Sequence, residues 1–300
     1  MSTPIRKRIG YYKQQEAGAI DVNISEKDFS DESYVEYKQC IKIVFELQPI
    51  IMLHEATLRN YSELEASILS SEQKFKDKTL KNGSQYLLVT EGVTIIQRIN
   101  NFLASASSFL SVSEVKLEKC YGKGSNEEKT WNQFRNEMHK DSFAYQFIYD
   151  LRNFSQHYQL PISTLKIKGS NLTTDDKDIN TEIFISRDAL LNSGFSWKKS
   201  VEDELEKQDE SFDLSPLLRE YMTIIHRLLD KYLEVNKTRF KEGVEYVTTL
   251  RNTLKIPNDT TPVIFLGDTA TDKPVPEHTE QIPVELLHWI LERYVKTNIA

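Results

Sequence analysis

Arg152, Asn153 and His157 stand together in the stretch DLRNFSQHYQLP, residues 150–161. Their types suit chemistry on a phosphodiester. A histidine that titrates near neutral pH can take the proton from a ribose 2′-hydroxyl or give one to the leaving oxygen. An arginine keeps its charge and can hold the phosphate oxygens as negative charge accumulates. Asn153 can orient either the phosphate or the imidazole. A plainer reading uses the same residues: His157 caps carbonyls at a helix end and Arg152 sits in a surface ion pair.

A helix must deliver these groups. Each helical residue turns about 100°, so Phe143, Phe147, Leu151, Phe154 and Tyr158 share one apolar stripe. Gln146, Asp150, Asn153 and His157 fall together on one flank of that stripe, with Asn153 and His157 four residues apart and able to act on one ligand. Gln146 and Asp150 are therefore candidate substrate contacts. Arg152 leaves from the opposite flank, about 140° from His157. Its long side chain, a second subunit or a distorted last turn has to bring the guanidinium back. Pro161 biases Leu160 away from helical angles, so His157 is expected in the last turn, where the helix dipole favours an imidazolium.

The rest of the chain reads mainly as helix. Apolar residues recur at helical intervals from Asp31 to about Phe75, with Pro49 expected to kink or split the segment. KNGSQ at 81–85 predicts a turn, and a second helix is expected from about Ser84 to Glu118. After the loop YGKGSNEE a third helix is expected over about 127–158, carrying the triad. TLKIKG and TEIFIS alternate like two strands, which predicts an inserted β-hairpin at about 162–192. Lys166 and Lys168 share one face of the first strand and can guide an anionic substrate or simply keep an edge soluble. Long helix returns from Leu214 to about Leu254. Residues 1–30 read as an N-terminal extension, and 256–300 as a C-terminal appendage with one short strand, PVIFLG, and a terminal helix.

Charge limits the partners. The 300 residues carry a net charge of −7, with 39% hydrophobic and 28% charged residues. A broadly basic nucleic-acid surface is excluded, because such binding rests on phosphate neutralisation by Lys and Arg; any RNA contact must be local. Cys40 and Cys120 lie far apart without metal or disulfide spacing, the N-terminus lacks an apolar signal region, and the uncharged run Ile99–Ser113 is short for a span. A cytoplasmic protein without membrane contact, cofactor or metal is expected. His54, His139 and His226 read as core or surface residues, and the acidic run at Asp175, Asp176 and Asp178 as a solvated hairpin tip.

Arginine, a polar residue and, after three more, histidine at a helix end resemble the R-x4-6-H signature of the HEPN superfamily. The resemblance implies a HEPN-like helical bundle over about 31–255, with the hairpin inserted. It implies a metal-independent endoribonuclease of toxin or anti-phage systems, working as a homodimer in which two motifs face each other, and with an antitoxin or other partner protein. Arg152, Asn153 and His157 match that motif. Arg219 and His226 also meet the loose spacing, but a glutamate follows the arginine and the pair lies mid-helix; Arg135, Asn136 and His139 are one residue short. One subgroup carries a tyrosine two places after the histidine. Here that place is Gln159, so control by nucleotide modification of such a tyrosine is not carried over. The same bundle can also serve as a non-catalytic interaction or sensor module.

Overall fold

The apolar spacings do produce long helices. The computed structural model describes residues 5–15, 18–77, 84–170, 178–268 and 279–297, and these are mainly helical with two small antiparallel sheets. The helices are α1 (Asp31–Asp77), α2 (Ser84–Tyr121), α3 (Asn126–Asp141), α4 (Phe143–His157), α5 (Arg187–Leu191), α6 (Lys199–Leu205), α7 (Ser215–Thr253) and α8 (Val284–Thr297). The strands are β1 (Ile5–Gln14), β2 (Ile20–Asp28), β3 (Thr164–Ser170), β4 (Asp178–Ser186), β5 (Ser211–Asp213), β6 (Thr261–Asp268) and β7 (Thr279–Gln281). Among the described residues no helix is long and apolar enough to cross a membrane.

Two compact units divide the chain, residues 1–49 with 233–300, and residues 50–232. The first holds a four-stranded sheet of order β2-β1-β6-β7. The segments read in sequence as an N-terminal extension and a C-terminal appendage thus share one sheet, β1 running antiparallel to β6. Val263, Ile264 and Phe265 are buried in it together with Ile9. Gly10 is required there: a Cβ would stand 2.0 Å from the Asn23 carbonyl oxygen and 2.8 Å from the Phe265 ring. Gly243 of α7 plays a similar part, since a Cβ would meet the Cys40 carbonyl oxygen of α1 at 2.7 Å.

The second unit carries the triad. Its core includes Phe102 and Phe109 of α2, Trp131 of α3, Phe147 and Leu151 of α4, and Leu228 of α7. The buried Trp131 indole donates to the Leu228 carbonyl at 3.1 Å, which satisfies its N–H inside the core. Sheet order here is β3-β4-β5. Ile179, Ile183 and Ile185 of β4 point inward, as the two-residue alternation requires. The predicted hairpin therefore exists, and the three-residue β5 extends it. The turn at 81–83 and most of the hairpin tip, including Asp175 and Asp176, lie outside the described residues.

One expectation is narrowed and another changes. Pro49 does not split its segment: α1 runs through it, although the proline cannot donate to the Phe45 carbonyl. The third helix is two helices, because Ser142 is extended (φ −126°, ψ 116°). Ser142 Oγ accepts from the Tyr145 N–H at 3.0 Å and donates to Glu220. It thereby satisfies one of the orphan amides at the start of α4. Removing that oxygen in Ser142→Ala should cost about 1 kcal/mol, read as a lowered urea midpoint with an unchanged slope.

Candidate functional site

Helix α4 is held by its apolar stripe. Phe147 and Phe154 are fully buried and both pack on Trp197, with ring centroids at 5.7 and 5.4 Å. Tyr158 stacks on Phe154 and meets Phe195 edge-on at 5.1 Å. The last turn is thus clamped by the 195–197 loop, and it closes with the Tyr158 and Gln159 amides both donating to the Phe154 carbonyl. His157 lies in that turn, exposed.

Arg152 bonds to the residue next to it. Arg152 Nη1 donates to Asn153 Oδ1 at 2.9 Å. The bond joins two neighbouring side chains that leave the rod about 100° apart. Asn153 and His157 lie four residues apart, a spacing that holds their Cβ atoms about 5–6 Å from each other.

The plain reading of these residues meets neither of its conditions. Arg152 has no carboxylate partner among the described residues, and its buried Nε has no acceptor. His157 makes no hydrogen bond to a helix-end carbonyl among the described residues; the turn is closed by backbone alone. A half-buried guanidinium whose bond among the described residues is to a neutral amide keeps its capacity for an anion.

The other flank residues are engaged by Lys198 and the first turn of α6. Gln146 accepts from Ser200 Oγ at 2.5 Å and donates to the Lys140 carbonyl at 3.2 Å. Asp150 is buried, 7% exposed, and Lys198 Nζ stands 3.9 Å from its carboxylate. To touch a substrate, Gln146 would exchange bonds it already makes. Lys198 itself is exposed and lies over the ring of Tyr149 at 5.5 Å, three residues before Arg152 in α4. His139 also belongs to this neighbourhood. It packs against Tyr145 and Tyr149, and burial, then Lys198 and Arg135, push its pKa below the ordinary value. Sequence spacing could not reveal this group, because Lys198 reaches α4 only through the fold of the loop.

Burial pushes the Asp150 carboxyl above its ordinary value, with Lys198 pulling the other way. A raised carboxyl favours the protonated folded state, so ionisation costs stability as pH rises through the raised value. Below the ordinary value of 3.8 both states are protonated and the cost vanishes. Asp150→Asn should therefore raise the thermal midpoint at pH 8, and the gain should disappear toward pH 3. Differential scanning at both pH values checks this.

Lys166 and Lys168 lie on the solvent face of β3, opposite the inward Leu165 and Ile167. Lys168 pairs with Glu182 at 2.8 Å and Lys166 sits 3.8 Å above the Phe184 ring. Neither contacts the triad among the described interactions. The second loose pair does not assemble: His226 turns to His54 at 2.9 Å, while Arg219 turns to the Tyr61 hydroxyl. A groove of about 490 Å³ runs past Tyr61, Glu72, Thr181, Asp213 and Arg219. Its carboxylates serve structure, Glu72 accepting from the Thr181 amide and Asp213 from Ser215 at the start of α7.

No family model, no curated protein and no solved structure matches the chain.

Proposed function

We propose that the chain is a cytoplasmic, HEPN-like endoribonuclease of a toxin or anti-phage system. It cuts RNA by attack of the 2′-hydroxyl on the adjacent phosphodiester, leaving a cyclic phosphate and a 5′-hydroxyl. The observation that supports this reading is the Arg152 to Asn153 bond, which links a guanidinium without a carboxylate partner among the described residues to the residue four places before the exposed His157. Arg152 stabilises the developing charge on the phosphate, His157 moves the proton, and Asn153 fixes the guanidinium. Lys198 supplies the local positive charge that the acidic chain lacks overall. Two copies facing each other through this helix end would form the composite cleft that the resemblance implies.

One observation favours the non-catalytic reading of the same bundle. His157 has no hydrogen-bond partner among the described residues, so none of these fixes its tautomer. A facing copy or the substrate would have to do so. The test is incubation of the purified chain with a structured and an unstructured RNA in the presence of EDTA, followed by end analysis. Cyclic phosphate ends that accumulate with enzyme concentration support the nuclease; intact RNA together with a stoichiometric protein partner supports the interaction module.

A further inference from the structure

Strand β2 is the free edge of the four-stranded sheet, bonded to β1 on one side and to no described strand on the other. At the opposite edge β7 has only three residues, too few to template much pairing. β2 is long, has no proline, and exposes Ile20 by 62% and Val22 by 53%. Exposed apolar edges of this kind invite another strand, and proteins that avoid pairing blunt them with lysine, proline or bulges. The register irregularity opposite Arg8 and Gly10 falls beyond Ile24, at the end that also carries Lys27. The stretch Ile20–Ile24 stays regular.

Those apolar residues continue a ridge rather than standing alone. Val22 pairs with Tyr12, and the Tyr12 ring meets Phe265 at 5.6 Å, so the three share one face of the sheet. Asp21 points to the other face, where Gln15 Nε2 donates to it at 2.6 Å. The edge is self-complementary about Val22. Run antiparallel to a second copy, Ile20 would face the second copy's Ile24, the two Val22 residues would face each other, and Asp21 would meet a neutral Asn23. Centring on Asp21 would oppose two carboxylates, and centring on Asn23 would set Ile20 against Glu26; like charges and apolar–charge pairs directly opposite are unfavourable.

We infer that two copies of this chain associate by antiparallel β2 to β2 pairing across a two-fold axis at Val22, joining their sheets into one of eight strands. A strand pair alone buries less than a standard interface, so the dimer is concentration-dependent. The inference does not rest on the ribonuclease reading, because the triad lies in the other unit and RNA cleavage is a separate readout.

The test uses the full chain. Sedimentation across about 1–200 μM should show a monomer–dimer equilibrium, a range set by the affinity scale of small interfaces. Val22→Lys places two ammonium groups opposite each other and should raise the dissociation constant about tenfold or more, with the thermal midpoint reporting intact folding. Val22→Cys, in a chain with Cys40→Ser and Cys120→Ser, should form a disulfide dimer under mild oxidation, because opposed residues in such a pair lie within bridging range. Asp21→Cys in the same background should cross-link far more slowly. A monomer throughout the range, a dimer indifferent to Val22→Lys, or equal cross-linking at positions 21 and 22 would each overturn the inference.

Discussion

Replacing His157 with alanine should reduce RNA cleavage by about 10²–10⁴-fold, the range lost with a general acid or base, while the far-UV dichroism stays that of the parent. The side chain is exposed and makes no described bond, so its removal leaves no cavity and no orphaned partner. Arg152→Lys sharpens the same test. Lysine keeps the positive charge but lacks the planar fork, and it cannot repeat the Nη1 contact to Asn153 in the same geometry. A loss of about 10²-fold, as for removal of one transition-state donor, is expected in the chemical step rather than in RNA affinity. Single-turnover rates and filter binding separate the two. Equal cleavage by parent and His157→Ala would remove the catalytic assignment and leave the interaction module.

Phe154→Ala should produce the largest loss of stability near the site. The ring is 1% exposed and touches Tyr158, Phe195 and Trp197. Emptying such a position costs about 3–5 kcal/mol, which at ordinary slopes moves the urea midpoint by about 1–2 M. Cleavage should fall as well, even under conditions where the variant remains folded, because these ring contacts hold the helical turn that carries His157. Leucine at 154 restores part of the volume and should recover part of both properties.

These two residues also show what the sequence revealed. The stripe Phe143, Phe147, Leu151, Phe154 is legible because a helix with one buried face repeats its apolar positions every three to four residues. The predicted strands at TLKIKG and TEIFIS are legible for the matching reason, a two-residue repeat bounded by polar loops. Ser142 was hidden since the apolar period continues across a single non-helical residue. Its place between Asp141 and an apolar run was the available signal of a helix start. β1 reads poorly because the basic residues of IRKRIGYYKQ interrupt the alternation and its partner lies far along the chain. Nor could periodicity announce the turn of Arg152 toward Asn153. Spacing fixes where a side chain leaves the helix, whereas rotamer and local partners fix where a long one ends.

Ile5 sits opposite Asp268, and Tyr12 opposite Thr261. A ribosome releases the first of each pair long before the second exists, so β1 and β2 must wait through most of synthesis with no strand β6 to join. The stretch 50–232 draws its contacts from within itself and can collapse in the interim. Contacts of such sequence separation are slow to close. Refolding experiments should accordingly see the triad-bearing half acquire protection against amide exchange before the amides of Ile5–Gln14 do.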